Sequence, residues 1–101
     1  MAKKSSIEKN DRRKLMTQRF AAKRKALKAV IQNPKASDEE KMAAQFGLQR
    51  LPRNSSKIRI RNRCQMTGRS RGFESAFGLS RIAMREMALN GFLPGVRKAS
   101  W

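Results

Sequence analysis

The sequence has no histidine, no tyrosine, a single cysteine and only seven acidic residues against 25 lysines and arginines. Without histidine, Ser-His-Asp and Cys-His nucleophilic sites are excluded. A four-coordinate zinc site needs Cys or His ligands, and Cys64 is the one residue of either kind, so neither a metal nor another cofactor is expected. One cysteine forms no intrachain disulfide and fits a reducing compartment. Asp11, Asp38, Glu39 and Glu40 have ready roles at helix starts, and Glu8, Glu74 and Glu86 show no pairing suited to acid–base work. No Gly-x-x-x-x-Gly-Lys or Gly-x-Gly-x-x-Gly run is present. An enzyme acting on a small-molecule substrate is therefore not expected. No run of about 18 apolar residues occurs, and Met1-Ala-Lys-Lys-Ser-Ser6 lacks the apolar stretch of a secretory signal. The expectation is a cytosolic protein with no membrane partner.

What is present is positive charge, +18 in 101 residues. A compact state of that charge repels itself, and the charge calls for a polyanion, nucleic acid first. The length allows at most one domain. Five Phe and one Trp make a small core, so the free chain is expected to order on a partner.

Residues 3–33 read as one long basic helix, with Ser5 or Ser6 as its cap and Glu8 and Asp11 in its early turns. Met16, Phe20, Leu27 and Ile31 share one face, flanked by Leu15 and Val30, and Lys23 and Arg24 interrupt it. Eleven Lys and Arg among residues 1–33 suit a phosphate-bound arm. Asn33-Pro34 stops this helix. Ser37 and Glu40 form a capping box that opens a second helix over 38–50, with Asp38 and Glu39 in its first turn. Met42 and Phe46 share a face, and this acid-capped segment reads as a packing element that leaves RNA alone. Residues 51–56 read as a loop.

From Arg50 to Gly72 there are eight Lys and Arg and no acid. Lys57, Arg59, Arg61 and Arg63 alternate with Ile58, Ile60 and Asn62. In an extended chain these cations share one face at roughly 6.6 Å steps, close to the reach needed to follow phosphates. A charged edge strand is the structural alternative. Gly68 and Gly72 bracket Arg69 and Arg71 in a turn-rich segment. Phe73 and Phe77 either stack on unpaired bases or fill the core. Ser80 caps a helix over about 81–90, with Gly91 and Pro94 beyond it. Ile82 and Leu89 share a face with Arg85 and Glu86, while Met84, Met87 and Ala88 widen the apolar side. Arg81 and Arg85 share a face as an i, i+4 pair. Phe92 and Leu93 are expected to fold back on the helix end, and the tail ends with Arg97, Lys98 and Trp101.

Three stretches carry a resemblance: Arg61-Asn-Arg-Cys64-x-x-Thr67-Gly68-Arg69, Phe77-Gly-Leu-Ser80-Arg81-Ile82-x-x-Arg85-Glu86, and Leu93-Pro-Gly-Val-Arg-Lys-Ala-Ser-Trp101. With Ser37-Asp38-Glu39 and Leu51-Pro52-Arg53-x-Ser55-Ser56, most of the chain resembles the long form of the bacterial small-subunit ribosomal protein family number fourteen. The short form carries a zinc site whose four places fall here on Cys64, Thr67, Ser80 and Ala83. The resemblance is thus to the zinc-independent branch, with Cys64 as a small buried hydrophobe. The family usually has basic residues just before Phe77-Gly78. Glu74-Ser75-Ala76 stand there instead, and Glu74 is expected to meet a cation of its own chain.

The expected fold is mainly α and extended: a long basic N-terminal helix, a second short helix, a basic loop or extended segment, then a degenerate zinc-ribbon-like module with its C-terminal helix and tail. Residues 1–101 make a single ribosomal protein domain, with 3–50 as helical extension and 51–101 as rRNA-binding module. The resemblance implies a structural place in the head of the small ribosomal subunit, in the cytoplasm. It implies binding to small-subunit rRNA, a part in assembly and decoding-region conformation, contacts with head proteins three and ten, and no catalysis. The expected RNA-binding residues are Lys57, Arg59, Arg61, Arg63, Arg69, Arg71, Arg81, Arg85, Arg97, Lys98 and Trp101. The alternative is a non-ribosomal, nucleoid-type basic protein, which would prefer duplex DNA; no helix-turn-helix or dimer-forming heptad supports it. A membrane-active helix over 7–33 has too few bulky apolar residues on its face.

Overall fold

Capping and helix propensity set most of the secondary structure in the computed structural model, which describes residues 2–100. The elements are α1 (Lys4–Gln32), α2 (Asp38–Arg50), β1 (Phe73–Glu74), β2 (Leu79–Ser80) and α3 (Arg81–Leu89), with 3-10 turns at Arg53–Ser55 and Lys57–Arg59. The fold is mainly α, as expected. The described residues fall into two units: those up to Glu8 with those from Arg61 onward, and Lys9–Ile60.

In the Lys9–Ile60 unit, α1 turns inward the half-buried Met16, Phe20, Leu27 and Ile31, while Leu15 and Val30 are exposed. Arg24 belongs to this line and does not interrupt it. Its Nε and Nη2 donate to Ser55 Oγ at 3.2 and 2.9 Å. Buried Asn10 and half-buried Arg13 and Thr17 continue the line at helical spacing. The expected serine cap is not used. The helix starts at Lys4, and the Ser6 and Ile7 amides donate to Lys3 O at 3.0 and 3.3 Å. Ser5 and Ser6 therefore lie inside the helix, whose first turn holds no acid.

α2 has the expected bounds because Ser37 caps it, its Oγ accepting the Glu40 amide at 3.3 Å. Its inner side is made of small or tucked residues. Ala44 is buried, Lys41 and Leu48 are half-buried, and a Cβ on Gly47 would lie 3.3 Å from Leu27 Cδ2. Met42 and Phe46 do share a face, but it points to solvent, which corrects the expectation that they pack α2 down.

Of the two forms expected for the basic segment, loop or extended, its start takes the loop form. Lys57–Arg59 closes a 3-10 turn through the Ile60 amide and Lys57 O at 3.2 Å, leaving Ile58 92% exposed. Arg13 Nη1 holds the Arg59 carbonyl at 3.3 Å. Among the described residues no strand lies alongside to reward an extended ladder here. The preceding turn is organised on Ser55, which is fully buried and donates to Pro52 O while accepting from Arg24. Ser55→Ala leaves Arg24 without that acceptor and is expected to cost about 1–2 kcal/mol, read in urea unfolding of the whole chain. An unchanged midpoint would contradict this role.

In the other unit, β1 and β2 pair antiparallel with Phe73 opposite Ser80 and Glu74 opposite Leu79. Buried Cys64, Leu79 and Ala83 form the core, and Met84, Met87 and Leu93 pack against it. Ser80 caps α3 as expected, its Oγ accepting the Ala83 amide at 3.3 Å, and Gly91 takes the left-handed conformation at φ 77° after the helix. The buried face of α3 is Ala83-Met84-Met87, not the Ile82–Leu89 line, which stays exposed. Leu93 folds back on the core as expected; Phe92 remains exposed.

Candidate nucleic-acid interface

The basic cluster is arranged around a tight turn at residues 64–69. The Gly68 amide donates to Cys64 O at 2.8 Å, the Cys64 amide donates to Arg69 O at 3.0 Å, and Gly68 stands at φ +76°. The Gln65 amide ties this turn to the hairpin through Gly78 O at 3.1 Å. Cys64, Thr67, Ser80 and Ala83, widely spaced in sequence, converge here. Cys64 and Ala83 share the core, Ser80 caps Ala83, and the Thr67 side chain and Ser80 backbone hydrogen-bond the Cys64 sulfur. Among the described residues no group of three metal-ligating side chains forms.

Cys64 is buried, as expected, but it is not an ordinary thiol. Burial pushes its pKa up, while hydrogen bonds from the Thr67 side chain and from the backbone of Ser80, Thr67 and Met66 favour the thiolate, and the balance lowers it to about 6. An unfolded thiol titrates near ~8.5. The folded form thus binds a proton less tightly, and its stabilisation is full above the unfolded value and lost as pH falls through about 6. The chain has no histidine to mask this. Stability is expected to rise between pH 6 and about 8.5, and Cys64→Ala to flatten that rise in pH-dependent urea unfolding.

The turn aims arginines. Arg63 Nη1 donates to Gly68 O at 3.0 Å, and Arg61 Nε and Nη2 donate to Ser70 O at 3.2 and 3.1 Å. A guanidinium has five donors, so the bond to Gly68 positions Arg63 without using it up. Arg63, Arg69 and Arg71 line one cleft with Thr67, Ser70 and Ser80, and Glu86 is the acid on its wall. Arg81 adjoins it: its amide donates to Gly72 O at 2.7 Å, and a Cβ on Gly72 would meet its stem at 3.2 Å. Arg81 and Arg85 flank Ile82 on the exposed side of α3, and Arg85, Arg97 and Lys98 line a further groove against Met84 and Leu89. The structure therefore gathers Arg61, Arg63, Arg69, Arg71, Arg81, Arg85, Arg97 and Lys98 in one unit. Lys57 and Arg59 fall in the other. Trp101 lies outside the described residues.

Among the described residues, Arg69, Arg71, Arg81, Arg85, Arg97 and Lys98 make no ion pair; the one pair found joins Lys14 and Asp11 at 4.0 Å. Glu74 is exposed at the hairpin edge and makes no ion pair among them either, which corrects that expectation. Phe73 is half-buried and Phe77 exposed, and neither belongs to the buried core. The sequence reading singled out no individual cation on α1, yet Lys9, Arg12 and Arg13 form a basic recess with Asn54. Their signal was the charge density of residues 1–33.

Residues 47–100 match the family described as ribosomal protein S14p/S29e. The chain is 57% identical over 101 residues to the small ribosomal subunit protein uS14 of Corynebacterium diphtheriae, covering all of both chains. The protein of the same name from Paenarthrobacter aurescens is 54% identical and that of Methylorubrum populi 52%, again over the whole of both chains.

Proposed function

The chain belongs to the ribosomal protein S14p/S29e family, and from that premise we propose how its residues serve the ribosome. It is a structural component of the small ribosomal subunit and resides in cytoplasmic ribosomes. Within that role, Arg61, Arg63, Arg69 and Arg71 neutralise phosphates where small-subunit rRNA strands approach one another. Arg81, Arg85, Arg97 and Lys98 extend this surface, and Trp101 anchors the tail by stacking or by filling a pocket. The α1 cations and the Lys57–Arg59 turn engage rRNA separately. The observation that carries this is the cleft of Arg63, Arg69 and Arg71, three cations held together by the 64–69 turn with no carboxylate paired to Arg69 or Arg71 among the described residues. Such a grouping is costly by itself and favourable around phosphate.

Recognition is mostly of RNA shape, as expected for folded RNA. The finer reading sets the chain in the subunit head beside proteins three and ten, where it supports assembly and the conformation of the decoding region and performs no catalysis. With about eight phosphates contacted, log K is expected to fall against log salt with a slope of roughly −6 to −7. Filter binding of the whole chain to small-subunit rRNA across a salt series measures it. A slope near −2, or equal affinity for duplex DNA, would overturn the reading.

A further inference from the structure

One surface of the chain has the opposite character from the rest. α2 carries Asp38, Glu39, Glu40, Lys41 and Arg50, a net charge of −3 + 2 = −1. α1 carries ten cations and two acids, 10 − 2 = +8, and α3 two and one, 2 − 1 = +1. On the outer side of this one negative helix, Met42 is 65% exposed and Phe46 58% exposed. They stand one turn apart, and Asp38 and Glu39 precede Met42 by four and three residues on the same side. The inner side is already used by Ala44, Leu48 and the Gly47–Leu27 contact, so no repacking of α2 within its unit buries Met42 and Phe46.

Single exposed apolar residues are ordinary. An aromatic and a methionine adjacent on one helix face, in a chain with only five Phe, are a different matter. The two carboxylates beside them, Asp38 and Glu39, repel phosphate. They attract a surface bearing lysine and arginine, the surface that a neighbouring protein needs where it neutralises phosphates of the same rRNA.

We propose that the outer stripe of α2, Asp38-Glu39-Met42-Phe46, docks a neighbouring basic protein of the small subunit. The proposal rests on the ribosomal reading above and commits to a protein in place of RNA at this face. Phe46 is the anchor and enters an apolar pocket, Met42 fills around it, and the carboxylates meet cations on the pocket rim.

The test places a photoreactive benzoylphenylalanine at position 46 of the full chain, followed by irradiation of cells and gradient purification of small subunits. The expected product is a crosslink to a protein of the subunit, at an apolar site beside lysine or arginine. In parallel, Met42→Ala with Phe46→Ala is expected to lower retention of the chain on salt-washed subunits about tenfold. Alanine keeps helix propensity and both positions are exposed, so α2 itself survives the change. A crosslink to rRNA, no crosslink from chain that is present in the subunits, or unchanged retention of the double variant would each overturn the proposal. A chain missing from the subunits altogether would overturn the ribosomal reading and this proposal with it.

Discussion

Replacing Arg63, Arg69 and Arg71 together with glutamine is expected to weaken binding to small-subunit rRNA by about three orders of magnitude. A hydrogen bond to a charged group contributes about 1.5 kcal/mol or more, and three such losses sum to roughly 4–5 kcal/mol, or a factor near 10³. The salt slope should fall by about two to three in the same variant. Arg63 also donates to Gly68 O, so part of its effect passes through the turn. Arg69 and Arg71 make no side-chain hydrogen bond or ion pair among the described residues, and Arg69→Gln with Arg71→Gln separates charge from fold: an unchanged unfolding midpoint beside a loss of about 10² in affinity. Lys3→Ala with Lys4→Ala should cost far less, because both lysines are exposed and neither lines the arginine cleft. Equal losses in the two sets would show that the central cluster is not the anchor.

The second large effect is structural. Gly68 is buried at φ +76°, and a Cβ there would lie 2.6 Å from Ile7 Cδ1, 2.8 Å from Ile7 Cγ1 and 3.3 Å from Ala2 Cβ. Gly68→Ala therefore meets both a left-handed backbone penalty and a clash with the start of α1. The expected cost is about 2–4 kcal/mol, measured by urea unfolding. Because Ile7→Ala removes the very atoms a Cβ at position 68 would strike, it should cost less in the Gly68→Ala background than in the natural chain. Additive costs would mean the two residues do not meet. The same substitution should lower rRNA affinity, since the Gly68 amide and carbonyl hold Cys64 and Arg63 in the turn that aims the cluster.

Local signals were legible where a short-range hydrogen bond decides the structure. Ser37 and Ser80 cap α2 and α3 through amides three residues on, and Gly91 ends α3 with positive φ. The spacing of Cys64, Thr67, Ser80 and Ala83 was legible too, and those places do meet. What the sequence hid was which apolar residues face inward. Ala44, Gly47 and Ala83 make the close contacts, because small residues let backbones approach, while Met42, Phe46, Ile82 and Leu89 point out. A periodicity argument weights large side chains and so favoured the outer face of α2; on α3 it marked Met84 and Met87, which do pack on the core, but could not rank them above Ile82 and Leu89. In a chain that assembles with partners, large apolar residues belong partly to the interface. The turn at Lys57–Arg59 was hidden for a similar reason. Alternation of Arg and Ile suggests a strand, but only a neighbouring strand would make it one, and here Arg13 holds the Arg59 carbonyl instead. The two-residue strands β1 and β2 are too short to leave any periodic trace.

Ultraviolet crosslinking in living cells, with sequencing of the attached RNA and mass spectrometry of the attached peptide, tests most directly whether the arginines around the 64–69 turn hold small-subunit rRNA. The expected result is reads concentrated at a few sites of that rRNA, joined through peptides that include Arg61–Arg71 and Arg81–Arg85. Reads scattered across transcripts, recovery of genomic DNA, or attachment only through residues outside that unit would contradict it.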